Sequence, residues 1–507
     1  MKVNQLKVGV ILSYMTQAVH ILKGLVYTPV MLRLLGQSEY GLYNLVSSVV
    51  SYLGLLSFGF GAGYMRFYSR YKSKNDTEGV AKINGMFLVI FSVISLLCLI
   101  VGTFLIFNIK SVFGDGLTSY ELKKSKVLMI FMVVNLALNL LGTVFGNYIT
   151  AHEKFVFQKT VNFLTSLLNP FITLPLLLVG VGSLGMVLVS SFLTVAGLLV
   201  NLYYCFKKLH MQFSFNTFDF SLLKEMWVFT FFVFINIIVD QINWSVDKFL
   251  LGRMMGTTAV AVYSVAANLN SMYMTFSTTV SSVFVPKVNM MVSNNDNHTL
   301  NKLFIKVGRV QIIIIGLIIS GYIMFGKEFI ALWAGSKYIE AYYVGLFLMI
   351  PLTIPLIQNL GIEVQRAKNK HQVRSVVYLL VAISNIFVSM VCIKIWGIVG
   401  ASVGTAVSLL LGNGLFMNIY YHKKLDLNIL AFWKEILKIV LPIVVTMLVA
   451  LVIKKVIVVS GIYSLIFNII IYCIIYLCFI YFMGANSEEK KLIIVPLEKL
   501  GEKICKK

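Results

Sequence analysis

LLGQSEYGLYNLVSS, residues 34–48, and MMGTTAVAVYSVAAN, residues 254–268, are two versions of one pattern. Gly36 answers to Gly256 and Tyr43 to Tyr263, a shift of 220 residues. Three further pairs follow in the same order. AHEK (151–154) answers to AKNK (367–370), VGSLG (181–185) to WGIVG (396–400), and NLYYCFKK (201–208) to NIYYHKK (418–424). Their shifts run from 215 to 217. One such match is weak, but four at nearly one offset imply an internal duplication.

The material between the matches is apolar. Of 507 residues, 59% are hydrophobic and 12% charged, against about 25% charged in a soluble domain. Mean hydropathy is +0.87. The charges gather between apolar runs of roughly 20 residues, the length that crosses the hydrocarbon core as a helix. Strand-type alternation is absent, which disfavours a barrel. The expected fold is an all-α polytopic membrane protein of about 14 transmembrane helices. The spans fall near 8–32, 41–65, 83–108, 127–150, 161–180, 184–206, 225–251, 258–286, 308–332, 341–364, 374–394, 398–421, 436–453 and 462–483. The division of the fifth from the sixth rests on Gly180 and Gly182 alone. Lys2 and Lys7 before an apolar run resemble a signal peptide, but no small-residue cleavage site follows, so the first span is read as uncleaved.

Equivalent points of the duplication are six spans apart. An even number preserves orientation, so the halves form parallel repeats about an axis along the membrane normal. The expected organisation is an N-lobe (1–208), a C-lobe (209–424), two extra spans (425–484) and a tail (485–507). Two six-helix lobes enclose a central cavity, and rocking one against the other gives alternating access. With the N-terminus inside, most of the 43 Lys and Arg fall in inner segments, among them RFYSRYKSK (66–74) and RAKNKHQVR (366–374). That asymmetry obeys the positive-inside rule and places both termini in the cytoplasm. It also accounts for the net charge of +23 without nucleic acid.

FINIIVDQINWSVDKF (234–249) carries ionisable groups inside span 7. Asn236, Asp240, Asn243 and Asp247, spaced 4, 3 and 4, share one helical face. Shifted back by 220, Asp240, Asn243 and Asp247 meet His20, Lys23 and Tyr27 of span 1. Asn44, Ser47, Ser48 and Ser51 extend the polar lining in span 2, and Ser264, Asn268 and Ser271 in span 8. A charge at a helix centre costs about 2.5–3.5 kcal/mol on insertion scales. Two readings stay open. Lys23 and an aspartate form a static pair that fixes the halves, or Lys23 and His20 receive an anionic substrate while Asp240 and Asp247 act as counter-ions or coupling sites. Lys248 snorkels toward the outer interface. Arg66 and Arg366 sit at inner span ends, as snorkelling groups or as the cytoplasmic mouth, with Glu363 placed to pair with Arg366. The PLTIP stretch (351–355) is a candidate hinge, and FSFNTFDFSLLKE (213–225) reads as an interfacial segment.

Six cysteines and six histidines show no metal-ligand spacing, so neither a metal nor a disulfide framework is expected. No large outer loop carries a nucleophile–base constellation, so an enzyme such as a polymerase is not expected.

LLGQSEYGLYNL after span 1, DKFLLGRMMGTTAVAVYSVAANL across spans 7 and 8, and the Ala-x-x-Lys loops before spans 5 and 11 carry a family likeness. The chain resembles the polysaccharide-exporter branch of the multidrug/oligosaccharidyl-lipid/polysaccharide flippase superfamily, nearest the bacterial O-antigen and capsule repeat-unit flippases. The resemblance implies alternating-access transfer of undecaprenyl-pyrophosphate-linked oligosaccharide from the cytoplasmic to the outer leaflet of the bacterial cell membrane. It implies a cationic cavity in which Lys23 takes the pyrophosphate; the polar faces add His20, Tyr27, Asn44, Asn243 and Asn268 as further substrate-binding candidates. The expected partners are the lipid-linked substrate, membrane lipids and the polysaccharide polymerase machinery. No cofactor is expected beyond a coupling Na⁺ or H⁺. Many relatives carry arginines in the cavity, whereas this chain offers Lys23 and His20, and lysine lacks the bidentate fork. The alternative from the same fold is a cation- or proton-coupled multidrug exporter.

Overall fold

The computed structural model describes residues 5–215, 219–368, 370–456 and 461–490, and among these no strand occurs. Two compact units divide the chain, Met1–Ser264 and Val265–Lys507. The expected tail (485–507) lies outside the described residues from position 491 onward, and so does Cys505.

In the first unit, α1 (Gln5–Leu22) runs through one π-helical stretch, Lys23–Tyr27, into α2 (Thr28–Leu53). There follow α3 (Phe60–Lys72), α4 (Thr77–Phe107), α5 (Ile109–Phe113), α6 (Ser119–Ala151), α7 (Phe155–Leu178), α8 (Gly182–Lys207) and α9 (Phe220–Met255). α10 (Thr257–Ser282) begins in this unit and ends in the next. Three of its long helices, α4, α6 and α9, start where the sequence supplies a cap. The Asp76 carboxylate accepts from Gly79 N at 2.7 Å at the head of α4. Thr118 and Glu121 close a reciprocal capping box on α6. Asp219 accepts from the Ser221 and Leu222 amides on α9. That last cap falls within the segment expected at the interface. Its helical part is the continuous head of α9, and residues 216–218 lie outside the described ones. The doubtful division at Gly180 and Gly182 is a true break, with φ of 87° and 67° between α7 and α8.

Helix α2 is broken within itself at Gly36 (φ 76°, ψ 172°). Gly256, between α9 and α10, has φ 85° and ψ −175°. Both sit in a region that only glycine occupies without strain. The two breaks meet at Glu121. Its Oε1 accepts from Ser38 Oγ at 2.6 Å and from Thr257 Oγ1 at 2.7 Å. Nearby, Glu39 Oε1 accepts from Lys124 Nζ at 2.7 Å and from Ser183 N at 2.5 Å. α2 also crosses α9 and α10 closely. A Cβ on Gly41 would lie 1.8 Å from Thr257 O, and one on Gly252 2.3 Å from Leu45 Cδ1.

The second unit contains α11 (Val285–Ser293), α12 (Asn297–Trp333), α13 (Ala341–Ile357), α14 (Asn359–Ala367), α15 (His371–Leu409), α16 (Asn418–Leu425), α17 (Ile429–Val456) and α18 (Ile462–Phe479). α12 is its core. Its apolar window is 61% buried, where the other membrane-crossing helices stay between 11% and 33%. α12 packs against α13, α17 and α18. α13 and α14 meet at 45° around Gln358, so the bend falls just past the PLTIP stretch rather than within it. Pro355 removes one backbone donor and crowds the preceding turn, which weakens the helix at that point. α15 is broken at Gly397 (φ 60°).

Nine helices among the described residues are long and apolar enough to cross a membrane, ten with the bent pair. Their outward faces carry large apolar side chains such as Phe104, Phe107 and Phe171, as lipid-facing surfaces do.

Candidate polar cavity of the first unit

Lys23 opens the π-helical stretch that joins α1 to α2. A π turn is wider than an α turn and is frequent at functional sites. It swings the Lys23 side chain toward α7, where Nζ donates to Asn169 Oδ1 at 2.8 Å. The ammonium also lies 5.8 Å from the centre of the Tyr27 ring. These are its partners among the described residues, and neither is a carboxylate. The static Lys23–aspartate pair, one of the two readings left open above, is not made.

Around Lys23 lies a cavity of about 440 Å³ that also takes in His20. Its walls are polar stripes on three helices. α7 supplies Asn162, Thr165, Ser166 and Asn169; α8 supplies Ser190, Thr194 and Asn201; α6 supplies Asn139 and Thr143. Asn169 is held in place by its own surroundings. Its Nδ2 lies 3.4 Å from Ser190 Oγ, and its carbonyl accepts from Thr173 Oγ1 at 2.6 Å. A neutral amide holds the ammonium without cancelling its charge. A lysine ammonium has three donors, and Asn169 takes one. The cavity thus offers a positive charge among amides and hydroxyls, a setting suited to an anionic group that carries hydroxylated substituents.

The other expected residues are distributed differently. His20, Lys23 and Tyr27 come together, with Tyr27 buried beneath the lysine. Asn44 turns back on its own helix, where Nδ2 donates to Tyr40 O at 2.9 Å. Asp240 is exposed and Asn243 half-buried on α9. Asp247 is buried at 1% exposure and accepts from Tyr263 Oη at 2.6 Å. The polar face expected on span 2 does meet α9, through Ser51 Oγ at 3.3 Å from Ser245 Oγ and at 2.5 Å from Gln241 Nε2. Asn268 belongs to the second unit and is half-buried. Arg66 is exposed on α3. Arg366 Nη1 donates to Glu363 Oε1 at 2.8 Å, the pair expected from their spacing.

Sequence reasoning missed Asn169 and most of the cavity wall. A signal was present. Asn162, Thr165, Ser166 and Asn169 recur at helical spacing, as do Ser190, Thr194 and Asn201. Uncharged stripes stand out less than ionisable groups do in an apolar run, and the search followed charge.

Long apolar helices around a polar cavity define a multi-pass membrane protein of transporter type. The chain belongs to the polysaccharide biosynthesis protein family, whose model matches residues 6–292. The resemblance read from residues 34–45 and 247–269 is thereby borne out. A Shigella flexneri protein named for O-antigen transport is 21% identical over 405 residues, 76% of this chain and 90% of that one. Among solved structures, the lipid II flippase MurJ in an inward closed conformation aligns with a TM-score of 0.73 at 15% identity, covering 93% of this chain and 97% of that one. An inward-facing multidrug resistance transporter of the MATE family aligns at 0.67 and 13% identity, covering 82% and 96%. These two likenesses establish the fold.

Proposed function

We propose that the chain is a flippase for undecaprenyl-pyrophosphate-linked oligosaccharide repeat units, serving capsule, O-antigen or other surface polysaccharide. The observation that carries this reading is Lys23, an ammonium held by a neutral amide inside a cavity of asparagines, serines and threonines. A pyrophosphate needs the charge; a sugar needs the amides and hydroxyls. The relative named for O-antigen transport supports the substrate class. The test is a null strain carrying either wild-type protein or Lys23→Ala. Wild type restores surface polysaccharide and clears accumulated lipid-linked intermediate; the variant inserts normally but does neither. Normal display by Lys23→Ala would refute the pyrophosphate role.

The same proposal includes 14 spans, two six-helix lobes (1–208 and 209–424), the extra spans in 425–484, cytoplasmic termini and a bacterial plasma-membrane location. Two of the nine apolar segments, Ile11–Ser57 and Gln372–Leu425, are 47 and 54 residues long. At 1.5 Å per residue each exceeds twice the roughly 30 Å core. Each is broken by a positive-φ glycine, Gly36 or Gly397. Dividing both, and adding the bent pair with α9 and α10, supports fourteen. The duplication is supported by backbone conformation. Positive φ recurs at Gly36 and Gly256, at Asn75 and Asn295 (both 55°), and at His210 and Asp426 (48° and 59°).

The cation- or proton-coupled multidrug exporter remains the second reading. Asp247, buried beside the Tyr263 hydroxyl, favours it as a place for a coupling ion. Drug resistance that depends on Asp247, with surface polysaccharide unchanged in the null strain, would establish it over the flippase. A polymerase partner and the choice of Na⁺ or H⁺ belong to the same proposal.

A further inference from the structure

The duplication brings two corners of the fold into comparison, alike in backbone and different in their side chains. In the second unit α14 ends at Lys368, with φ −82° and ψ 4°. In the first, α6 ends at His152, with φ −88° and ψ 10°. These residues occupy the second place of AKNK and AHEK. The next corner residue is Asp426 in KKLD and His210 in KKLH, both left-handed. The third side is a left-handed asparagine followed by an aspartate cap. Asp296 accepts from Thr299 N at 3.0 Å, as Asp76 does from Gly79 N.

In the second unit the corner is closed by its own charges. Lys368 Nζ donates to Asn297 Oδ1 at 3.1 Å and to Leu425 O at 2.9 Å. It lies 3.9 Å from Asp426 Oδ2. In the first unit histidines replace both the lysine and the aspartate, and the corner stays open. A cavity of about 380 Å³ is lined there by Lys72, Asp76, His152 and His210, with Tyr68 and Tyr148. The His152 ring is fixed. Its Nδ1 lies 3.0 Å from Tyr148 O, and a carbonyl only accepts, so Nδ1 carries the proton. Tyr68 Oη lies 3.2 Å from both ring nitrogens, and Nε2 is the one left to gain a proton. Lys72 Nζ uses one donor on Ala151 O at 3.3 Å and keeps its charge over the Tyr68 ring at 5.4 Å.

We propose that this corner is an anion site for a phosphate group, which supplies the negative charge that the Asp426 carboxylate supplies in the second unit. Lys72, His152 and His210 come from three separate segments. All three line the one cavity, and three donors suit the terminal oxygens of a phosphate better than the two of a carboxylate. The phosphate belongs to an anionic lipid head group or to a free phosphate ester. The site stands whether or not the chain flips a lipid-linked sugar.

Binding depends on pH with a definite sign. Burial lowers the His152 pKa below its ordinary value; the bond to Tyr148 O opposes this, and Lys72 and Lys154 add to it. A bound anion favours the charged ring, so binding takes up a proton and strengthens as pH falls. The charged and titratable groups around that ring are Lys72, Lys154, Asp76, His210, Tyr68 and Tyr148.

The test uses the full chain in nanodiscs and needs no transport. Inorganic phosphate is titrated calorimetrically in phosphatidylcholine discs, and the His152-dependent part of binding, read against His152→Gln at each pH, is expected to be weaker near pH 8 than near pH 6. The titration is repeated in discs containing phosphatidylglycerol, and the His152 ring is followed by NMR in both. Saturable heat in both disc types identifies a free phosphate site. Heat lost in phosphatidylglycerol discs, with a raised His152 pKa, identifies the lipid head group. His210→Asp restores the carboxylate and should abolish binding; Lys72→Gln should weaken it about tenfold, and serves if the first variant does not fold. Absence of phosphate heat together with an unchanged His152 pKa between discs overturns the proposal. So does wild-type binding by the folded variants.

Discussion

A lone ammonium inside a membrane helix is stable only if something holds it. For Lys23 the holder is an amide, and that choice matters. A carboxylate would neutralise the charge, whereas Asn169 orients it and leaves it available. Lys23→Arg should therefore keep part of the surface polysaccharide that Lys23→Ala loses, because charge survives while geometry changes. Asn169→Leu should behave like Lys23→Ala in a display assay at unchanged protein level. Asp247 makes the opposite case. Its carboxylate is buried and takes the Tyr263 hydroxyl at 2.6 Å. Tyr263→Phe removes that donor and should lower stability by about 1–3 kcal/mol, read as a drop in melting temperature of the detergent-solubilised protein. His20 and Lys23 were legible in the sequence because ionisable groups stand out in apolar runs. Asn169 was not, because its partner lies 146 residues away and an uncharged amide within a helix has many ordinary explanations.

Among elements, the breaks at Gly36 and Gly256 shape the first unit. Each turns the chain at a conformation closed to other residues, and Glu121 ties the two turns together. Gly36→Ala meets no atom within 4 Å, so its effect is backbone strain alone, about 1–3 kcal/mol. Gly256→Ala adds Gly116 O at 2.9 Å from the new Cβ. Gly41→Ala has no backbone strain of this kind, but its Cβ would fall 1.8 Å from Thr257 O. It must push α2 off the head of α10, and interior overpacking of this sort destabilises by about 1–3 kcal/mol or more. The expected order of melting temperatures is Gly36→Ala highest, then Gly256→Ala, then Gly41→Ala. An inverted order would mean that the α2–α10 contact is looser than the backbone positions imply. The turn at Gly36 was legible as half of the duplicated motif. The Glu121 bridge was not, since nothing in the sequence ties residue 121 to residues 38 and 257.

For the whole molecule, nine helices among the described residues are apolar enough to cross, and two of these segments run two spans together. The duplication recovers the difference, since a motif repeats even where hydropathy is weak. The second unit is also tied at its C-terminal side, in a way that a sequence reading could not anticipate. Arg309, 4% exposed in α12, donates to both oxygens of Glu489 at 2.7 Å, to Glu435 Oε2 at 2.9 Å and to Gly484 O at 2.8 Å. Arg309→Ala leaves the buried Glu489 uncompensated and should destabilise by about 3–5 kcal/mol, whereas a paired Glu489→Gln change should recover part of that loss in the melting temperature. Orientation in the membrane is tested separately. Lys74 and Lys123 are exposed and stand at opposite ends of α4 and α6. If basic segments set topology, residue 74 lies in the cytoplasm and residue 123 outside. Cysteines placed at each, with Cys473, Cys478 and Cys505 replaced, should respond oppositely to a membrane-impermeant maleimide applied to intact cells. Position 123 should label at once, and position 74 only after permeabilisation. Swapped labelling would invert every span, and would move both the Lys72–His152 corner and the termini to the outer face.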